Sequence, residues 1–415
     1  MAEPSRPFAA PAPPASPPAS DKTGFEILVE KPSHGLLRRL LTTQRHLLGL
    51  LFGGLVASLR ERPKDRRRGV LYWLGRLAAA VARLFLNRKL AAQPFPVQLR
   101  RRLEMLGPTY IKLGQILSLR QDLLPPAITG ELKNLLDRLP VVPFPRFMEL
   151  VAADLDRPVE ETFEWIDPRP LGSASIAQTH RGTLKSGESV ILKLVKPGIR
   201  DTLRRDATLL WLLGRLLQLL FPRVRPKRLI DEFVHYTLRE VDLRLEADNA
   251  ETFEANFKDM PDVVFPRVYR QASGRDLLTM EYLSGYKPDS PEAQGLSDAD
   301  RDRLIDLGAA VIIRMIYCDG FFYADLHPGN LLVLAGPKVG FIDVGMVGRF
   351  SEELKRTLLY YYYCLVTGDI DNAARYLAMV AEVGPGGDPS GFRREVTEIC
   401  WRWRRAANFR EFLLG

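Results

Sequence analysis

The sequence predicts an α+β chain with a helical N-terminal extension, then a small β-rich lobe and a larger helical lobe. Two observations predict it. Apolar/polar alternation with small-residue turns is concentrated in 161–199 and again in 263–283, the pattern of half-buried strands. Helical periodicity fills 36–106, 200–258 and most of the chain from 299 onward. At 415 residues, 46% hydrophobic and 26% charged, the chain can bury a sizeable core in two or three units.

The first 35 residues, opening "MAEPSRPFAAPAPPASPPAS", lack a basic n-region and an apolar h-region. They read as a disordered Pro/Ala-rich tail, not a secretory signal. Residues 36–106 read as two or three Arg-rich helices, "GLLRRLLTTQRHLLGLLFGGLVASLRER" and "RRRGVLYWLGRLAAAVARLFLNRK". The formal net charge is +9, but 36–105 carries 16 Lys/Arg against 3 Asp/Glu, a net of +13, which leaves −4 for the rest. A basic amphipathic helix suits an anionic membrane surface, and equally suits packing on a domain with its arginines solvated. Few aromatics interleave with these charges, so nucleic acid is not an expected partner. The best apolar run, "HLLGLLFGGLVASL", is shorter than the roughly 20 residues a bilayer needs. Cys318, Cys364 and Cys400 are too scattered for a disulfide framework or a CxxC zinc site.

Within "ETFEWIDPRPLGSASIAQTHRGTLKSGESVILKLVKPGI" (161–199) three strands are expected, with "KSGES" as a hairpin turn. Helices follow at 200–221 and 226–258, and "VVFPRVYRQASGRDLLTMEYL" supplies two more strands. The helical stretch beyond 299 is broken by the short strands "NLLVL" and "VGFID". A β-rich lobe before a helical lobe is the layout of a bilobal protein-kinase-like fold.

Phosphoryl transfer requires a phosphate cradle, a cation on the phosphates, hard-oxygen ligands for Mg²⁺ and a carboxylate near the nucleophile. Kinases supply the last three as a strand Lys, then Asp-x-x-x-x-Asn, then Asp-Phe-Gly. Here Lys193 lies in the strand-like "VILKLV", and Asp325 and Asn330 stand five apart in "YADLHPGNLLVL". Asp343 and Gly345 follow a strand in "FIDVG", thirteen residues beyond Asn330. Each piece alone has a plain reading: a solvated edge Lys, a Pro-Gly turn, a common tripeptide. Order, spacing and strand context together point to chemistry. Asp325 would accept or orient the proton of the attacking hydroxyl, Asn330 and Asp343 would hold Mg²⁺, and Lys193 would hold the phosphates of ATP. An acidic partner for Lys193 should come from "LREVDLRLEADNAETF", which offers Glu240, Asp242 and Glu246. "LLTMEYLSGY" resembles a hinge, with Met280 at its start and Glu281–Leu283 facing adenine.

Over about residues 100–350 the chain resembles the UbiB/AarF family of atypical kinase-like proteins, known from coenzyme Q biosynthesis. "YIKLGQILSLRQDLLP" looks like its Lys-x-Gly-Gln motif, with Lys112, Gly114 and Gln115. "LGSASIAQTH" looks like its Ala-rich loop, with Gly172, Ser173, Ala174 and Ser175, and "EVDLRLE" like its Glu-x-Asp motif, with Glu240 and Asp242. The resemblance implies that Glu246 is the partner of Lys193. It further implies that the Lys112 segment folds over the substrate side and pairs with Glu240, disfavouring protein substrates. Without the family, that segment would read as an ordinary amphipathic helix containing a Gly.

Three departures stand out. Gly172 takes a position where the family commonly has Ala, so nucleotide preference does not carry over. Ile191 stands two before the strand Lys, where kinases usually have Ala under the adenine. The chain stops at "NFREFLLG", short of the family's hydrophobic C-terminal region, so a membrane anchor is expected to be absent or replaced by the basic helices.

The resulting expectation is an atypical kinase or ATPase using ATP and Mg²⁺ in ubiquinone or other isoprenoid-lipid metabolism. It would be cytoplasmic and peripheral on an anionic membrane. Isoprenoid lipid and quinone-biosynthesis proteins are candidate partners, and apolar helices at 36–90 could build a homodimer. The alternatives are a nucleotide-responsive pseudokinase scaffold and an antibiotic or choline kinase-like phosphotransferase. The expected units are 1–35, the extension 36–106, an N-terminal lobe 107–283 that includes the Lys-x-Gly-Gln segment, and a C-terminal lobe 284–415.

Overall fold

The computed structural model describes residues 35–61, 90, 93–121, 124–135, 141–220, 225–381 and 387–405. The tail 1–34 and the second basic stretch, "RRRGVLYWLGRLAAAVARLFLNRK", lie outside these. The extension contributes α1 (Leu36–Glu61) and α2 (Phe95–Leu106), and α3 (Pro108–Ser118) and α4 (Pro126–Leu132) follow it. Pro residues at the first turns of α2, α3 and α4 suit positions where the backbone N–H has no helical partner. Gly107, with φ +93, makes the corner between α2 and α3, a conformation that a side chain would strain.

After α5 (Phe144–Asp154) and the short α6 (Val159–Thr162) come β1 (Phe163–Ser173), β2 (Ala177–Leu184) and β3 (Ser189–Val195). Helices α7 (Ile199–Leu220), α8 (Pro226–Glu240) and α9 (Leu243–Asn256) precede β4 (Val263–Val264) and β5 (Leu277–Glu281). The small lobe is an antiparallel sheet in the order β1-β2-β3-β5. Period-2 geometry sorts the residues of β3. Val190, Leu192 and Leu194 enter the core under α5, while Ile191 and Val195 pack in the cluster with Leu243 and Ala247 of α9. Lys193 shares that second face.

The larger lobe holds β6 (Gly285–Tyr286), α10 (Pro291–Gln294), α11 (Asp298–Ile313), β7 (Phe321–Tyr323), β8 (Leu331–Leu334), β9 (Lys338–Phe341) and β10 (Val347–Arg349). Three helices follow, α12 (Glu352–Thr367), α13 (Ile370–Val380) and α14 (Pro389–Arg405). A second sheet runs β4-β9-β8-β6, and β7 pairs with β10. Phe253 of α9 lies 4.8 Å from the Phe265 ring and 4.6 Å from Phe321, which fastens α9 to the larger lobe.

Two sequence expectations change here. The helix expected over 226–258 is broken at Val241–Asp242, and Asp242 caps α9 by accepting the Arg244 N–H at 3.3 Å. The two strands expected in 263–283 belong to different sheets, since β4 runs parallel to β9 while β5 joins β3.

One of the extension's arginines turns inward. Arg39 of α1 donates to both carboxylate oxygens of Asp206 on α7, at 2.6 and 2.7 Å, and Thr109 of α3 donates to the same carboxylate at 2.5 Å. Arg39 is 6% exposed and Asp206 0%. The packing of α1 on α2 is close, because a Cβ at Gly53 would lie 2.1 Å from Gln98 Oε1. No helix among the described residues is long and apolar enough to cross a membrane.

Removing one partner of a buried, hydrogen-bonded ion pair leaves the other charge uncompensated. Asp206→Asn should therefore lower unfolding stability by about 3–5 kcal/mol, measured by denaturant titration. A loss under about 1 kcal/mol would mean that the pair does not hold the extension to α7.

Candidate active site

Lys193 is delivered by the phase of β3, and Glu246 by the first turn of α9, whose start is fixed by the Asp242 cap. The Lys193 ammonium donates to Glu246 Oε1 at 2.7 Å and Oε2 at 2.8 Å, and to Asp343 Oδ2 at 3.2 Å. Burial alone would lower the Lys193 pKa, but the Asp343 and Glu246 carboxylates overcome it and hold the ammonium charged. Burial pushes the Glu246 carboxyl up to about 7, with Lys193 opposing and Asp343 adding to the rise. Asp343 moves the other way. Its burial is outweighed by Lys193 and by the Gly345 N–H, which donates to Asp343 Oδ1 at 3.1 Å.

Asp325 and Asn330 flank a turn made by His327, Pro328 and Gly329, in which His327 Nδ1 accepts the Gly329 N–H at 3.0 Å. Asn330 donates through Nδ2 to the Tyr323 hydroxyl at 2.5 Å and to the Asp325 carbonyl at 3.3 Å. Those bonds occupy its Nδ2, which leaves the Oδ1 oxygen as what Asn330 can offer a cation as a hard ligand. Burial, with Asp343 and Asp325 nearby, raises the Tyr323 pKa, so the phenol keeps its proton.

Lys112 of α3 donates to Glu240 Oε1 at 2.8 Å. Burial opposes its charge, but Glu240 and the more distant Asp325 and Asp343 raise its pKa. The Lys112 ammonium therefore sits within electrostatic reach of both aspartates. Gly114 faces the packed side of α3, where a Cβ would stand 2.3 Å from Leu135 Cδ1 and 2.8 Å from Leu103 Cδ1. That close approach is the physical reason for a glycine in this helix. Gln115 lies on the same helix, and its carbonyl accepts from the Ser118 hydroxyl. Asp242 is occupied by its own helix, since Arg244 also donates to it at 2.7 and 2.9 Å.

Gly172 and Ser173 are strand residues, paired with Thr179 and Gln178. Gly172 is not among the residues with positive φ. Ala174 N–H donates to the Ala177 carbonyl and closes the turn, with Ser175 buried behind it. Met280 pairs across the sheet with Ile191, and the Tyr282 N–H donates to the Ser189 carbonyl. Glu281 is half-buried and Leu283 buried on the segment between the lobes.

Two further residues join the site. Asn249, one turn after Glu246, donates to the Val344 carbonyl at 3.0 Å and ties the Asp343 loop to α9. Its i+3 spacing from Glu246 was the available signal. Lys196 is 6% exposed and donates to the Ala174 carbonyl at 2.6 Å. Burial pushes its pKa down to about 8. Nothing in the local sequence marks it, because its partner lies across the hairpin.

A family profile described as the ABC1 atypical kinase-like domain matches residues 134–377. A probable protein kinase UbiB of Azotobacter vinelandii is 35% identical over 302 residues, 70% of this chain and 56% of that protein. An uncharacterized chloroplastic aarF domain-containing protein kinase of Arabidopsis thaliana is 32% identical over 312 residues, 73% of this chain and 58% of that protein. The chain thus spans little more than half the length of these relatives. The erythromycin complex of Rv3197 from Mycobacterium tuberculosis matches with TM-score 0.53 and 25% identity, over 78% of this chain and 80% of that one.

Glu246 is the carboxyl of the trio that a falling pH protonates first. An infrared pH titration, differenced against Glu246→Gln, should show one carboxylate band lost as pH falls through about 7. Loss of that band only at an ordinary carboxylate value, near 4–5, would contradict the burial argument.

Proposed function

We propose, from the premise that the chain belongs to the ABC1 atypical kinase-like family, that it binds ATP with Mg²⁺ and transfers the γ-phosphoryl group to water or a small-molecule hydroxyl. The observation that carries this reading is the Lys193 ammonium held between Glu246 and Asp343. Lys193 would bind the α and β phosphates, kept in place by Glu246. Asp343 and Asn330 fit Mg²⁺, which takes one or two side-chain oxygens plus substrate phosphates. Bound Mg²⁺ would neutralise charge on the transferring group. Asp325 would orient the acceptor hydroxyl and take its proton as the new P–O bond forms and ADP leaves. Lys112 and Glu240 stand over the acceptor side, which favours water or a small molecule over a protein segment.

An apolar cavity of about 390 Å³ opens beside the catalytic loop, walled by Leu326, next to Asp325, and by Ile305, Ile312 and Met315. It supports a role in ubiquinone or another isoprenoid-lipid pathway, where the acceptor carries an apolar body. Work at an anionic membrane surface, alongside quinone-biosynthesis proteins, suits the charge of the extension.

ATP turnover by purified protein, with and without anionic liposomes, tests the proposal. Wild type should hydrolyse ATP faster with lipid, and Asp343→Asn should lose at least about tenfold of the rate through loss of a metal ligand. Equal ATP binding by both forms with no hydrolysis by either would leave a scaffold, not an enzyme.

A further inference from the structure

A second cleft, of about 240 Å³, lies among α8, α9 and the start of β10. Its charged lining residues include Arg239, Glu240, Asp242, Glu246 and Arg349, and the Asp343 loop reaches it through Gly345. The three carboxylates are already matched by cations. Glu240 accepts from Lys112 at 2.8 Å, Asp242 from Arg244 at 2.7 Å and Glu246 from Lys193 at 2.7 Å. The two arginines are not matched, and neither pairs with a carboxylate among the described residues. Arg349 is also seated, its guanidinium 4.5 Å from the centre of the Phe321 ring. A solvated surface arginine is ordinary. Two guanidiniums that line one cleft from α8 and β10, without a carboxylate partner among the described residues, are open to an anion there.

Guanidinium forks suit phosphate oxygens, and a seated fork loses less freedom on binding. We propose that Arg239 and Arg349 make this cleft a subsite for a phosphate or diphosphate group. Because the cleft adjoins Glu240, the partner of Lys112, the anion would anchor a ligand on the acceptor side. That acceptor role rests on the phosphoryl-transfer reading, but anion binding does not. The group could come from a soluble molecule or from a lipid headgroup.

The test is made without nucleotide, on the full chain. Inorganic pyrophosphate is titrated by calorimetry, and vesicles containing phosphatidic acid are used in flotation. Wild type, Arg239→Gln and Arg239→Gln/Arg349→Gln are compared. At least one probe should bind saturably, and the double variant should weaken it about tenfold or more. Mg·ATP affinity, measured separately, should stay within about twofold of wild type in the double variant, which separates this cleft from the nucleotide site. Arg239→Gln alone leaves the Phe321 seat intact and should also weaken binding, should the double variant fold poorly. Pyrophosphate binding identifies a soluble source, and vesicle binding alone a headgroup. Binding of neither probe, binding kept by the arginine variants, or Mg·ATP affinity lost along with it in the double variant would overturn the proposal.

Discussion

Three charges meet where Lys193 stands between Glu246, which is buried, and Asp343, which is partly open to water. They come from three separate pieces of the chain: the third strand of the small sheet, helix α9 and the loop after β9. Taking charges out of water costs several kcal/mol per ion, and their mutual attraction repays that only when geometry is good and each oxygen is used. Both oxygens of Glu246 are engaged here, and both oxygens of Asp343. The lobes are therefore registered to each other by a contact that tolerates little displacement. The same contact holds an ammonium beside an aspartate, which is what nucleotide phosphates and a divalent cation require.

The surrounding elements serve that register. Phe253 packs α9 into the larger lobe, and Asn249 ties the Asp343 loop to the same helix. The extension acts from the other side. Arg39 and Asp206 join α1 to α7, Thr109 joins α3 to the same carboxylate, and α3 then presents Lys112 to Glu240. Part of the basic character of the extension is thus structural, spent on an internal carboxylate and not on a surface. The short interruption between α8 and α9 sets Glu240 and Glu246 on different helices, so that one meets Lys112 and the other Lys193.

Local signals carried much of this into the sequence. The strand phase of "VILKLV" put Lys193 on one face, the "KSGES" turn set the hairpin, and Asp325 and Asn330 were readable from their spacing. The family motifs added Lys112 and Glu240, which no periodicity marks. What escaped was non-local or too short. Strands β6, β7 and β10 have two or three residues each, too few for alternation to register. The helix break at Val241–Asp242 was hidden because Asp in a polar helical run is unremarkable until its side chain caps a new helix. Lys196 and Asn249 bond to backbone carbonyls, Lys196 across the hairpin and Asn249 on another element, and a one-dimensional pattern holds no trace of those partners.

The claim that rests most directly on the Lys193–Glu246–Asp343 contact is that it forms a nucleotide phosphate site. Equilibrium binding of Mg·ATP to wild type and to Glu246→Gln, each checked for an unchanged melting curve, measures it. Releasing Lys193 from its bidentate partner should weaken the affinity by about tenfold or more, since a charge-assisted pair contributes roughly 1.5–3 kcal/mol. Equal affinity in the two proteins would contradict the account.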